Sequence, residues 1–295
     1  MEDQFLRFKK QREIGEVISD TFKFLRENYR LLFLVIFKIA GPALLVLILS
    51  AGYYMYVTLG SFDWLRSLET TPQSTTGFNI GGILIAAFLM LVSLVVYFSL
   101  LYGAVLNFIK SYIENNGEVN ENEVRLGAKN DFWKLLGAGF LTGIMIFFGL
   151  LVCFFPGIYL MVPLSLVFAI LVFDRMEVFD SISHSFSLIK NNWWVTFATL
   201  LVMWLLVYIA GIIFSIPAIV YSLIKAFSVA EEASMVNPAE IFDWVYILLN
   251  LISTVAQYLL YTVTVISTAF IYFNLNEQKN FTGTFETIEN LGKQE

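Results

Sequence analysis

Apolar residues dominate the 295-residue chain in runs that are long and nearly unbroken. They occupy residues 31–59, 79–109, 132–152, 156–173, 193–224 and 241–273. Most exceed the ~20 residues that a helix needs to cross ~30 Å of hydrocarbon. The pattern predicts an all-α integral membrane protein with six transmembrane helices arranged as three hairpins. Ahead of the first run, Ile14, Val17, Ile18, Phe22, Leu25 and Tyr29 recur three and four apart, with Glu16, Asp20, Lys23 and Glu27 between them. That spacing makes an amphipathic helix. Val178, Ile182, Phe186 and Ile189 repeat the device before the fifth run. Each hairpin is therefore expected to follow a helix lying in the cytoplasmic headgroup layer.

Two of these stretches superimpose without a gap. ISDTFKFLRENYRLLF (18–33) falls on ISHSFSLIKNNWWVTF (182–197), and KNDFW (129–133) is a fainter third copy of KNNWW (190–194). In each full copy a basic residue and Asn are expected to end the interfacial helix, and aromatics mark the turn into the bilayer. The chain divides on this basis into one six-span membrane domain, 1–275, with repeats at 13–117, 118–176 and 177–275, and a polar cytoplasmic tail, 276–295.

Connections sharpen the outline. FFPG (154–157) leaves room only for a tight turn between the third and fourth spans, which makes them antiparallel neighbours. Gly139 and Gly143 have the small-xxx-small spacing of close helix contact. In VNPAE, Asn237 has the place of an N-cap, Pro238 of the first helical residue and Glu240 of the third.

Composition agrees with the pattern: 58% of residues are hydrophobic, 14% are charged, and mean hydropathy is +0.73. The polar stretch before the first run lacks the short apolar core of a cleaved signal, so that span is expected to stay. Lysine and arginine set the orientation. Arg7, Lys9, Lys10, Arg12, Lys23, Arg26 and Arg30 precede the first span; Lys110, Arg125, Lys129 and Lys134 lie between the second and third; Arg175 and Lys190 lie between the fourth and fifth; Lys279 and Lys293 follow the sixth. Only Arg66 and Lys225 fall on the other side, so both termini are expected in the cytoplasm. The net charge of -6 and the lack of a basic soluble patch argue against nucleic acid as a partner.

No catalytic constellation accompanies the spans. One cysteine, Cys153, and one histidine, His184, cannot build a disulfide framework or a Cys/His metal cluster. No Asp or Glu occurs in 31–59, 79–113, 132–173 or 193–225, which removes paired carboxylates and acidic proton relays. No nucleotide-binding glycine motif is present. The expectation is no enzyme, no cofactor and no metal.

The passages REIGEVISDTFKFLRENY, FFPGIYLMVPLSLVFAILVFD, SISHSFSLIKNNWW and AFIYFNLNEQ resemble the membrane-domain family first described as the membrane region of bacterial glycerophosphoryl diester phosphodiesterases, with its stand-alone relatives. The resemblance implies a six-span protein of the bacterial inner membrane with no assigned chemistry. The phosphodiesterase barrel of some members is not in this chain, so that activity does not transfer.

Two functional readings follow. One is a non-enzymatic membrane protein that binds lipid or anions, or joins a larger membrane assembly, with membrane lipids and other membrane proteins as partners. The alternative is a small-molecule or lipid transporter, favoured by Pro42, Pro163 and Pro217 within the spans. The sharpest local feature is Lys38, about 13 Å along the helix from Tyr29. Pro42 lacks the N–H that would bond the carbonyl of residue 38. Without an acidic partner in the spans, Lys38 is expected either to snorkel to the headgroups or to line a cytoplasm-facing polar pocket with Gln257 and attract an anion such as a lipid phosphate.

Overall fold

The computed structural model describes residues 5–70, 80–232 and 243–291. These residues form helices α1 (Ile14–Thr70), α2 (Ile80–Glu114), α3 (Glu121–Val152), α4 (Phe154–Leu164), α5 (Val167–Phe173), α6 (Val178–Ile189), α7 (Trp193–Glu232), α8 (Trp244–Asn280) and α9 (Thr282–Leu291), with no strand among the described residues. Six stretches are long and apolar enough to cross a membrane, and they coincide with the six runs in the sequence. The outer connection near TTPQSTTG and the cap expected at Asn237 to Glu240 lie outside the described residues.

Two compact units divide the chain. Unit 1 comprises Met1–Gly41, Phe98–Val207 and Tyr261–Glu295, and unit 2 comprises Pro42–Tyr97 and Tyr208–Leu260. The helices α1, α2, α7 and α8 each run from one unit into the other, so the compact bodies do not follow the repeat boundaries.

Within unit 1, α2 and α3 meet through missing side chains. A Cβ on Gly103 would stand 3.5 Å from Ala128 Cβ, and one on Gly127 would overlap Asn107 Oδ1. Asn107 uses that room to donate through Nδ2 to the Gly103 carbonyl and to Asp131 Oδ2, both at 3.0 Å. The turn joining the two helices is a Schellman closure: Asn116 takes φ 52°, and Gly117 N–H bonds the Tyr112 carbonyl at 2.8 Å. Asn120 then caps α3 through the Asn122 amide.

Between α3 and α4 the turn is shorter than FFPG suggests. Cys153 alone is extended, with φ −165° and ψ 147°, and Pro156 already sits in the first turn of α4, where its missing N–H has no helical partner to lose. Such a reversal forces backbones together. A Cβ on Gly157 would lie 2.8 Å from Leu150 N, and one on Gly149 would lie 3.1 Å from Gly157 Cα. Gly143, expected at a close crossing, has nothing within 4 Å of its Cβ position, and Gly139 meets only ordinary contacts from Phe168 and Ser99. The close-contact glycines of α3 and α4 are Gly149 and Gly157.

The fourth span is broken. Pro163 ends α4, Ser165 and Leu166 form a turn, and α5 resumes at Val167. Pro163 lacks the N–H that would bond the Tyr159 carbonyl. Trp193 supplies a donor instead, its Nε1 reaching Tyr159 O at 3.3 Å while the two rings stack at 5.6 Å. This span is 56% buried inside the protein against 17% for the third and fifth, which is where non-helical backbone at membrane depth can be tolerated.

The two copies of the repeated motif fold differently. α6 ends at Ile189, residues 190–192 turn, and Asn192 O accepts the Thr196 amide to start α7. In the first copy α1 runs through without interruption, and Asn28 only bonds back to the Phe24 carbonyl at 3.0 Å. The helix expected to end there continues for 57 residues, ~85 Å. Of the positions at which the two stretches differ, one bears directly on the break: Glu27 is a good helix former, whereas its counterpart Asn191 puts two asparagines in succession, which favour turns and caps.

In unit 2, α7 and α8 pack through small residues. Gly211 approaches Gln257, with only 3.3 Å left for a Cβ, and Ser253 Oγ donates to the Phe214 carbonyl at 2.7 Å. Asp243 caps α8 through the Val245 and Tyr246 amides and ties back to α7 through Tyr221 and Lys225. Ser50 and Ser93 share a hydrogen bond of 2.7 Å between α1 and α2.

The glycine geometry makes a direct prediction. Gly157→Ala should lower stability by ~1–3 kcal/mol, because its Cβ meets backbone that cannot move aside. Gly143→Ala should leave thermal unfolding in detergent unchanged or slightly raise it. Equal effects at the two positions would show that the α3–α4 turn is not packed this tightly.

Candidate functional site

Lys38 belongs to unit 1 and Gln257 to unit 2, and each is engaged inside its own unit. Lys38 Nζ forms an exposed ion pair with Glu121 Oε2 at 2.5 Å. Gln257 Nε2 donates to Ser215 Oγ at 3.0 Å. The expectation that no carboxylate serves Lys38 is corrected here: Glu121, the first residue of α3, supplies the counter-charge. Sequence inspection of the spans missed it because Glu121 lies 83 residues away and outside every apolar run.

A different cationic surface stands on α1. Lys23, Arg26 and Arg30 are exposed, and so are Phe22, Tyr29 and Phe37. Arg30 Nε donates to its neighbour's hydroxyl, Tyr29, at 2.9 Å, and its guanidinium lies 5.7 Å from the Tyr29 ring. Phe22, Arg26, Tyr29 and Phe37 share one stripe by helical spacing, with Lys23 and Arg30 beside it. Cations beside exposed rings at the start of a membrane-crossing helix suit the headgroup layer, where rings sit at the apolar boundary and cations meet phosphates.

The most constrained cation is Arg12. Its side chain has no exposed surface. Nε donates to Asp20 Oδ2 at 2.8 Å, Nη1 to the carbonyls of Phe8 and Lys10 at 2.6 and 3.2 Å, and Nη2 to the carbonyl of Arg7. The guanidinium also lies 4.7 Å from the centre of the Phe270 ring, on which Phe8 stacks at 4.3 Å. Burial pushes the Arg12 guanidinium below its usual range, opposed by its hydrogen bond and charge interaction with Asp20. Residues 5–12 are thereby curled into a strap over an aromatic core of Phe24, Phe108, Tyr112 and Phe270.

The polar backbone of the strap continues into a small crevice of ~20 Å³. Arg12 N–H donates to Asn274 Oδ1 at 2.8 Å, Gln278 Nε2 donates to the same oxygen, and Asn192 Nδ2 donates to Gln278 Oε1. Thr196 and Thr199 complete the wall from α7. The volume is about that of one water probe, far below the ~300 Å³ of a small-molecule site. The chain of bonds joins the strap, the α6–α7 turn and α8.

These features define a multi-pass helical membrane protein with polar, closely tied connections and no grouped catalytic side chains in the site described. Residues 11–262 match the uncharacterised protein family UPF0259, and the chain belongs to that family. No curated protein and no solved structure matches the chain. Nothing in these matches links it to the membrane region of glycerophosphoryl diester phosphodiesterases.

Arg12→Met should cost ~3 kcal/mol, since it strands the Arg7 and Lys10 carbonyls and leaves Asp20 with only the half-exposed Lys10 as partner. Arg12→Lys should recover less than half, because an ammonium cannot reproduce the planar fork. Thermal unfolding in detergent, with protease cleavage within residues 5–12 as a second readout, measures both.

Proposed function

We propose that the protein is a non-enzymatic multi-pass protein of the bacterial cytoplasmic membrane that binds anionic lipid headgroups on its cytoplasmic side. The observation that carries this reading is the α1 surface on which Lys23, Arg26 and Arg30 stand beside exposed Phe22, Tyr29 and Phe37. Each such cation contributes ~1 kcal/mol near an anionic leaflet. Lys38 is not the anchor, because Glu121 already matches its charge. The resemblance to the phosphodiesterase membrane region, if it reflects kinship, supports the same membrane and no separate chemistry. Other membrane proteins are secondary partners, bound through the lipid-exposed faces of the bundle.

Transport is the second reading, and the broken fourth span is its specific support. The carbonyl freed by that break argues against it. Trp193 takes the Tyr159 carbonyl, which Pro163 leaves without a helical donor. Transport sites in broken helices need such groups for substrate or ion. Here a protein side chain holds the carbonyl, which favours a structural joint.

Native mass spectrometry of the purified protein tests the lipid reading. The combined variant Lys23→Gln, Arg26→Gln, Arg30→Gln should retain anionic phospholipid at least tenfold less, consistent with loss of ~3 kcal/mol, while Lys38→Met should retain it as the parent does. Undiminished lipid on the triple variant would sink the proposal, and a stoichiometric protein partner in its place would favour the assembly reading.

We further propose that the cation distribution places both termini in the cytoplasm. In a Cys153→Ser background, an impermeant thiol reagent applied to intact cells should label Ser74→Cys, at a position outside the described residues, and spare Asn122→Cys. The reverse pattern would invert the topology.

A further inference from the structure

The last helix, α9, is fixed at one end and turned outward along one side. Glu277, near the end of α8 and almost fully buried, receives the Gly283 amide at 2.7 Å, the Thr284 amide at 3.0 Å and the Thr284 hydroxyl at 2.7 Å. A carboxylate on the first free amides of a helix is favoured by both hydrogen bonding and the helix dipole. The single residue between the helices, Phe281, has φ 51° and makes the change of direction. Gly283 then lies against the strap so closely that a Cβ there would stand 2.3 Å from the Lys9 carbonyl. That contact defines the inner side of α9.

The outer side follows from helix geometry. Within α9, residues 285 and 288 fall ~60° apart and ~140–160° from residue 283, and residue 281 immediately precedes the first turn. They are Phe281, Phe285 and Ile288, exposed by 47%, 65% and 60%. The protein contacts of α9 are made by Gly283 and the threonines that bond Glu277, whereas Phe285 and Ile288 on the opposite side, and Phe281 just before it, are exposed among the described residues.

We propose that α9 is a membrane-surface helix, with Phe281, Phe285 and Ile288 seated in the lipid interface. Continuity identifies the occupant. One residue separates α9 from α8, a helix that crosses the bilayer, and Glu277 holds its first turn against that helix's end. A second copy of the chain fits less well, because three side chains on a ten-residue helix fall far short of the ~800 Å² that each partner buries in a stable interface. The acidic residues Glu286 and Glu289 add no attraction to an anionic leaflet. The contact is therefore apolar and should survive high salt, unlike binding at the α1 cations.

The test uses the full-length protein with Cys153→Ser, carrying Phe285→Cys or Ile288→Cys labelled with an environment-sensitive fluorophore, in nanodiscs. Brominated lipids should quench both labels at low and high salt, and aqueous iodide should quench neither. Quenching by iodide without quenching by bromolipid would place α9 in the cytoplasm and overturn the proposal. Quenching by neither agent would show that protein covers the stripe, and would overturn it equally. The salt-independent readout separates this outcome from failure of the anionic-lipid reading, which concerns charges on α1.

Discussion

A guanidinium with no exposed surface must find acceptors for its donors or destabilise the fold. Arg12 finds them in one carboxylate and three carbonyls of the six residues that precede it. This requirement organises the polar end of unit 1. Curling residues 7–10 around the guanidinium presses Phe8 onto Phe270 and leaves the Arg12 amide pointing at Asn274. Asn274 in turn holds Gln278, and Gln278 holds Asn192 at the start of α7. On the other side the strap's Lys9 backbone accepts the close approach of Gly283, so the position of α9 also depends on it. Losing the guanidinium fork disturbs four segments at once, which is why a lysine is a poor substitute although it keeps the charge.

The same accounting of backbone groups explains the joints within the bundle. Short helices end in free carbonyls, and a low-dielectric setting does not supply water to satisfy them. Lysines do so here: Lys110 reaches the end of α5, and Lys279 reaches the Ser187 carbonyl and hydroxyl near the end of α6. Asp174 at the end of α5 is held by the Tyr272 hydroxyl at 2.6 Å. Cations that count toward orientation in the sequence thus also act as helix caps. Positive charge at these helix ends is consistent with both roles, and neither depends on a ligand.

Much of the architecture was legible because it depends on local periodicity. Six apolar runs became six bilayer-length helices, and FFPG did mark an antiparallel pair. What was not legible depends on contacts between distant segments. Arg12 looks like any of the seven cations that precede the first span, and only the fold makes it the buried one. Residues 276–295 read as a polar tail, yet α8 continues to Asn280 and α9 follows, because Glu277 finds its partners five to seven residues on. A Glu, a positive-φ phenylalanine and a Gly-Thr helix start were the available signals, and none is distinctive alone. The partner of Lys38 was missed for the same reason: its carboxylate belongs to another helix.

Related stretches serve unlike ends in this chain. Residues 18–33 and 182–197 align without a gap, but Glu27 keeps the first helical where Asn191 lets the second turn. The continuous copy carries Lys23, Arg26 and Arg30 outward along a rigid helix, spaced for contact with a charged surface. The broken copy turns Asn192 toward Gln278 and Trp193 toward Tyr159, so its polar and aromatic groups are spent on internal bonds. The first copy presents three exposed cations in a row, whereas the second presents Lys190, the counterpart of Arg26, alone beside a turn. Duplication of an interfacial motif therefore does not imply two equivalent lipid sites, and the difference in helix propensity between Glu27 and Asn191 contributes to the asymmetry.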